Sequence, residues 1–386
     1  MQSLDPRRHN PDVALEELLG RKQEFLDQEL IREHIQGKVV MVTGAAGSIG
    51  SELCRQIAGF GPKALVGFDR AETPLFYLER ELHEGFPVLA FQPEIGDVTR
   101  CDDVNWTMRK YRPSIVYHAA AYKHVSMMER QVFAAVENNI FGSWQVALAA
   151  AGNAVDYFVM ISTDKAVRPA SLMGATKRAA ELVVCALQKK GGTRFVAVRF
   201  GNVLGSSGSV LPIFKDQIAA GGPVTVSHPD MKRYFMTAAE AGQLVLGAFV
   251  HGKGGEIFVL DMGDPVSILE LARNLIRQSG FEPDRDIEIE FTGPRPGEKL
   301  FEELNLEAEL LNKTSHPRIY SPMSPDEIDE EQARAYLDDL RQAANSRDAH
   351  RILLLLKEIV PDYEPSAQFL EECICPTGAT GASART

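Results

Sequence analysis

A short segment near residue 40 constrains the fold more than any other. Lys38–Thr43 reads KVVMVT, a continuous apolar run of strand length, and Thr43-Gly44-Ala45-Ala46-Gly47-Ser48-Ile49-Gly50 follows it, opening a helical pattern over Ser48–Gly59. A strand apolar on both faces must be covered on both faces. Glycines at 44, 47 and 50 permit a tight turn, close approach of backbone to a pyrophosphate, and close helix–strand packing. The helix N-terminus adds N–H groups and a partial positive charge. Gly44, Ala46, Gly47, Ser48, Ile49 and Gly50 are therefore candidate contacts to a dinucleotide. No Gly-Lys-Ser/Thr closes the turn, which excludes a P-loop. Asp69 ends the next strand, about 20 residues beyond the loop, where a carboxylate can bind ribose hydroxyls. That favours NAD, while the adjacent Arg70 keeps NADP as the alternative. Asp97, in Ile95-Gly96-Asp97-Val98, is either an adenine contact beside Val98 or a solvated turn residue.

Further strands read at Ala64–Phe68, Val88–Phe91, Ser114–His118, Tyr157–Ser162 and Phe195–Phe200, with helical patterns between most of them. Wholly apolar strands alternating with helices predict a doubly wound parallel α/β sheet of the Rossmann type. After Gly201 the pattern shifts to Gly/Ser-rich loops and short strands, which predicts a smaller α+β substrate subdomain. The expected organisation is a helical lead-in (1–36), a dinucleotide-binding core (37–200), and a subdomain built from 201–236 and 263–322. Residues 237–262 are expected to return to the core, followed by C-terminal helices (323–370) and a disordered tail (371–386).

The 386 residues are 45% hydrophobic, so a sizeable core is available, and the formal charge of −12 argues against nucleic acid or an anionic membrane as main partner. Five cysteines, odd in number and spread out, predict reduced thiols and a cytoplasmic setting rather than a disulfide framework. Cys373-x-Cys375 lacks a second pair, so no metal is expected. No apolar run of about 18 residues and no leader sequence is found, so no membrane insertion by this chain is expected.

The chemistry is expected where the strand at 157–162 ends. Ser162-Thr163-Asp164-Lys165 lies there, and reacting groups of open α/β sheets sit at the carboxyl ends of strands. Met173 and Lys177 follow on one face of a helix. This resembles the extended short-chain dehydrogenase/reductase arrangement, in which a Tyr normally stands where Met173 does. A thioether has no proton to exchange, which disfavours simple alcohol dehydrogenase or 4-epimerase chemistry. A non-catalytic dinucleotide-binding regulator is the alternative from another class.

Ser162-Thr163-Asp164-Lys165-Ala166-Val167-Arg168-Pro169 with Met173-Gly174-Ala175-Thr176-Lys177-Arg178 resembles the UDP-N-acetylglucosamine 4,6-dehydratases of bacterial polysaccharide biosynthesis, in the branch carrying Met for Tyr. Further matching segments are His118–Val125, Arg199–Ser206, Arg233–Met236 and Arg295–Lys299. The resemblance implies a lyase that oxidises sugar carbon 4, eliminates water across carbons 5 and 6, and returns the hydride to carbon 6. Carbon 5 keeps its configuration, and the cofactor stays bound. Lys165 is implied as base at carbon 5, Asp164 as acid at the carbon 6 hydroxyl, Thr163 as partner of the carbon 4 hydroxyl, and Lys177 as partner of the nicotinamide ribose. A base Lys must be neutral and an acid Asp protonated, so the Lys165 pKa is expected to fall. Ala119, Ala120, Ala121, Lys123, Asn139 and Ser162 are implied on the cofactor side. Lys123, His124, Asn202, Ser209, Val210, Thr225, Arg233, Arg295 and Glu298 are implied on the substrate side, with Arg233 and Arg295 aimed at the diphosphate or uridine. A homo-oligomer is expected, and an inner-membrane association if a membrane region precedes the catalytic unit.

Overall fold

The computed structural model describes residues 28–189, 192–304, 311–314, 316–322 and 328–374; the lead-in before residue 28 and the tail after 374, with Cys375, lie outside them. The chain runs α1 (Gln28–Ile35), β1 (Val39–Thr43), α2 (Ser48–Gly59), β2 (Ala64–Asp69), α3 (Glu72–Gly85), β3 (Phe91–Ile95), α4 (Cys101–Tyr111) and β4 (Ile115–His118). Next come the short α5 (Val125–Met128) and α6 (Val132–Ala135), a π-helical segment over Val136–Gly142, α7 (Ser143–Gly152) and β5 (Tyr157–Ile161). A 3₁₀ turn over Asp164–Ala166 leads to α8 (Leu172–Cys185) and β6 (Arg194–Arg199). The remainder begins with β7 (Asn202–Val203), α9 (Val210–Ala219), β8 (Val224–Val226), β9 (Lys232–Arg233), β10 (Phe235–Met236), α10 (Ala238–His251) and β11 (Ile257–Leu260). It ends with β12 (Val266–Ser267), α11 (Ile268–Gln278), β13 (Ile289–Phe291), β14 (Leu311–Lys313), β15 (Ile319–Pro322), α12 (Glu330–Asn345), α13 (Ala349–Ile359) and α14 (Ala367–Ile374).

Nine strands form one sheet in the order β14-β15-β11-β6-β5-β4-β1-β2-β3. From β3 to β11 neighbours are parallel, and β15 and β14 add an antiparallel edge. This is the doubly wound sheet that the apolar strands predict. Val40 and Val42 face one helical layer with Leu53, Ile57, Val245 and Phe249, while Met41 between them faces the other with Met160, Ala179 and Ala180. Side-chain alternation thus buries both faces. Each large apolar side chain so buried contributes about 1.5–3 kcal/mol. The strand order reverses between β1 and β4, opening a crevice at their carboxyl ends.

The third strand corrects the sequence reading: it is Phe91–Ile95, not Val88–Phe91. Val88 is fully exposed, and the strand (FQPEI) is the sheet's edge. An edge strand needs neither an apolar outer face nor every N–H, so Pro93 is tolerated.

Beyond Gly201, β7 pairs with β10, β8 with β13 and β9 with β12 around a separate core containing Leu211, Phe214, Leu271 and Leu275. Residues α10 and β11 lie with the main sheet, β11 pairing with β6. Helices α12 and α13 bury Leu337, Leu340, Leu355 and Leu356 in the same core as α8.

Candidate active site

The first wall of the crevice is the glycine turn. Gly44 has φ +68°, and a Cβ there would lie 2.6 Å from the Ala120 nitrogen. A Cβ on Gly50 would overlap the Gly44 carbonyl oxygen. These positions keep the turn open and let α2 approach it, which is the cradle a pyrophosphate needs. Asp69 stiffens the turn: its Oδ2 accepts from the Ala46 N–H at 2.9 Å and its Oδ1 from the Ala71 N–H at 2.9 Å. Gly44, Gly47, Asp69, Arg70, Asp97, Val98, Ala119, Ala120, Ala121, Tyr122 and Asn138 line one cleft.

Arg70 stacks on Tyr122, donates to its hydroxyl, and lies 3.6 Å from Asp97. Asp97 is partly buried, but bonds from the Thr99 N–H and hydroxyl, then Arg70, outweigh the burial and hold its carboxyl below the usual range. Asn139 stands behind the wall rather than in it. It is fully buried, accepts from the Tyr122 N–H at 2.8 Å and donates to the Tyr122 carbonyl and to Thr176. Its neighbour Asn138 is the one lining the cleft.

At the end of β5, Thr163 caps the 3₁₀ turn, its Oγ1 accepting from the Lys165 N–H at 3.3 Å and donating to Asp164 Oδ1 at 2.9 Å. Asp164 is fully buried. Lys165 Nζ donates to Asp164 Oδ1 at 2.9 Å and to Asn202 Oδ1 at 3.0 Å, and lies 3.7 Å from Glu302 Oε1. The expected fall in the Lys165 pKa is not what this arrangement gives. Burial pushes it down, but the two carboxylates push it up by more, so the group is held above its ordinary value. The depressed amine is Lys177, brought down to about 8 by burial, with Glu181 opposing only in part. Its Nζ donates to the Ile161 carbonyl at 2.7 Å. Met173, one turn earlier on α8, is buried in the main core. His118, at the end of β4, bonds to Thr43 and Ser143, and burial followed by the Lys177 charge lowers it to about 3.

A family model described as "Polysaccharide biosynthesis protein" matches residues 40–323, covering both the glycine turn and the Asp164–Lys165 turn. This chain belongs to that polysaccharide biosynthesis family. It is 53% identical over 310 residues to the probable polysaccharide biosynthesis protein EpsC of Bacillus subtilis, spanning 80% of this chain and 52% of that protein. It thus spans about half the length of that curated relative. It is also 31% identical to a UDP-glucose 4-epimerase of Rickettsia rickettsii over 87% of this chain and 97% of the other. Among solved structures it is similar to Pen from Bacillus thuringiensis, with TM-score 0.69 and 33% identity, over 78% of this chain and 98% of that one.

In this member of the family the residues expected at the substrate do not all meet at one place. Asn202, Lys123 and His124 face the crevice mouth: Asn202 holds Lys165, Lys123 Nζ donates to Ser206 at 3.3 Å, and His124 packs under Gly208. Ser48, at the start of α2, accepts from the Ser207 N–H at 3.0 Å, so the 205–209 loop lies across the phosphate turn. Ser209 precedes α9 with its hydroxyl buried and without a hydrogen-bond partner among the described residues, and Val210 begins the helix. Arg233 departs from its expected task. Its guanidinium donates to the carbonyls of Lys232, Lys299 and Leu300 at 2.7–3.0 Å and is buried, so it organises the 299–300 backbone instead of presenting an open anion contact. Arg295 is exposed on a surface depression with Glu298 and Glu364, and Glu298 accepts from the Arg295 N–H. Thr225 is occupied by Gln217 of α9.

Ser162 also turns away from the cleft, donating to Glu181. Glu181, fully buried, receives both Arg199 (2.8 and 2.9 Å) and Arg178 (3.0 Å). Sequence reasoning missed this cluster and Glu302; the signal for Glu302 was a second carboxylate in Glu298-Lys299-Leu300-Phe301-Glu302. Among the described residues no group of acidic, His and Cys side chains suits a metal, and no helix is long and apolar enough to cross a membrane.

Proposed function

We propose that the chain is a nucleotide-sugar 4,6-dehydratase that uses NAD, acts on UDP-N-acetylglucosamine, and retains configuration at carbon 5. The observation that carries this is a buried Asp164 hydrogen-bonded at 2.9 Å to a partly buried Lys165 at the carboxyl end of a central strand, near a Met where a hydroxyl would serve simpler redox chemistry. Gly44 and Gly50 leave the cradle a pyrophosphate requires, and Asp69 at the end of β2 disfavours a 2′-phosphate. Arg70, the residue that would favour NADP, is committed to Tyr122 and Asp97. NAD, when bound, supplies reversible oxidation at carbon 4 and reduction at carbon 6.

The protein's own groups handle the protons. The carboxylates beside Lys165 favour its ammonium form, the wrong state for a base. Moving one proton along the existing hydrogen bond breaks an N–H bond on Lys165 and forms an O–H bond on Asp164. The electron pair left on Nζ then takes the carbon 5 proton, and Asp164 protonates the departing carbon 6 hydroxyl. Asn202 keeps the amine aimed throughout. In this reading Thr163 holds the carbon 4 hydroxyl and Lys177 binds the nicotinamide ribose.

The Rickettsia relative favours 4-epimerisation as a second reading. Proton NMR after incubation with UDP-N-acetylglucosamine in deuterated water separates the two. A new 6-methyl signal with deuterium at carbon 5 supports dehydration; a 4-epimer with no methyl signal overturns it. Lys165→Ala should abolish turnover while cofactor remains bound.

A further inference from the structure

Lys165 is shared between two carboxylates. Asp164 is its sequence neighbour, but Glu302 comes from the small subdomain and is brought to within 3.7 Å of Nζ with its side chain 5% exposed. Two restraints put it there. Arg233 grips the carbonyls of Lys299 and Leu300, and Lys299 Nζ donates to the carbonyl of Val167, immediately after the catalytic 3₁₀ turn. A segment held at Lys299 and Leu300 carries the Glu302 carboxylate to the amine. Burying a carboxylate without use is costly, so its position calls for a function.

We propose that Glu302 is a positioning residue that keeps Lys165 in its ammonium form in the resting site and thereby sets the pH above which the Asp164–Lys165 pair loses the one proton it shares. The charged groups around the amine are Asp164 on its own turn, Glu302 and Arg233 from the subdomain, and Lys299 beside Glu302; Asn202 is its neutral partner. Asp164 can take the amine's proton and is needed as the acid. Glu302 lies beyond hydrogen-bonding distance, so it acts through its charge: an anion at this range opposes loss of the ammonium. Burial raises the Glu302 pKa and the Lys165 charge pulls it back, so the two protonation states depend on each other.

The base role of Lys165 rests on the dehydratase reading, and the test separates the two. In the full chain labelled with ¹³Cε-lysine, Lys165 is assigned by loss of its signal in Lys165→Arg and titrated by NMR. Glu302→Gln should make Lys165 titrate about 1 to 3 pH units lower than in the unmodified protein, because an opposite charge within about 4–6 Å shifts a pKa by that much. Glu302→Asp, which keeps the charge, should restore most of the difference. The descending limb of kcat on UDP-N-acetylglucosamine, where Lys165 gives up to solvent the proton that Asp164 needs as acid, should move to lower pH in Glu302→Gln by the same amount. A Lys165 titration unchanged in Glu302→Gln overturns the proposal. A titration that moves in a protein that makes no 6-methyl product supports the electrostatic role and overturns the dehydratase assignment alone.

Discussion

Glu181→Gln tests whether the catalytic strand end is held by buried charge. Glu181 is fully buried, its two oxygens taken by Arg199 from β6 and Arg178 from its own helix, with Ser162 donating a further bond. Burial raises its pKa, but the Arg199 charge and hydrogen bond, then Arg178 and Ser162, bring it to about 2. The folded value lies below the unfolded one, so the stabilisation is complete above the unfolded pKa near 4.5 and is lost as pH falls towards 2. That difference corresponds to about 3 kcal/mol at neutral pH. Removing one member of a buried ionic cluster costs about 3–5 kcal/mol by a separate route, since both arginines stay buried without a counter-charge. Urea denaturation of both proteins at pH 7 should therefore show a gap of about 3 kcal/mol or more. The gap should narrow by roughly 1 kcal/mol at pH 4, where the unfolded carboxylate has begun to bind a proton and the folded one has not. A gap under about 1 kcal/mol at pH 7 would show that the cluster is not a net stabiliser, and a gap independent of pH would show that Glu181 is not its charged centre.

Other outcomes follow from single contacts. Gly50→Ala should lose bound cofactor, read by absorbance of the purified protein, with circular dichroism little changed, because the new Cβ meets the Gly44 carbonyl oxygen; retained cofactor would refute the close approach. Lys177, with its pKa near 8, should lose its charge as pH rises through that value, so kcat/KM should decline above pH 8; Lys177→Arg should move that decline beyond the measurable range. Because Lys177 is depressed in the folded protein, the cost of burying it, about 3 kcal/mol, is present below pH 8 and relieved towards pH 10.4, which hydrogen exchange across that range can follow. Arg233→Lys should lower kcat more than it raises KM for the nucleotide sugar and should reduce stability by about 1–3 kcal/mol, since three carbonyl bonds are disrupted. A KM effect alone would restore the direct diphosphate role.

The parts legible in the sequence are those whose chemistry is local. A buried strand followed by spaced glycines specifies turn, helix and cradle within about ten residues, to which the fold adds the clamp of Asp69 on the turn through Ala46. Asp164, Lys165, Met173 and Lys177 are likewise placed by one strand end and one helix. What sequence could not supply is pairing across long separations. Arg233 looks like an anion ligand in isolation, because an arginine in a polar motif is equally suited to phosphate or carbonyl oxygen; only its approach to Lys299 and Leu300, 66 and 67 residues away, decides. Ser162 looks like a cleft residue until β6 and α8 deliver Arg199 and Glu181 behind it.

The same separation explains why Lys165 was expected to be depressed and is not. From one segment, a lysine beside a buried strand end is an amine removed from water, and burial alone drives it towards neutrality. Asp164 beside it opposes that, and a second carboxylate 137 positions later, which the fold of the second subdomain brings alongside, adds to it. Dividing the base and its electrostatic control between two subdomains has a mechanical consequence. Any motion of the 295–302 segment that draws Glu302 away from Lys165 weakens the charge holding the ammonium, and Arg233, Lys299, the Lys232 N–H on the Leu300 carbonyl and the Arg168–Glu303 pair stand against that motion. Proton release from Lys165 is therefore coupled to the position of the small subdomain. Such a coupling lets a substrate that engages that subdomain favour the neutral amine at the site where it is used.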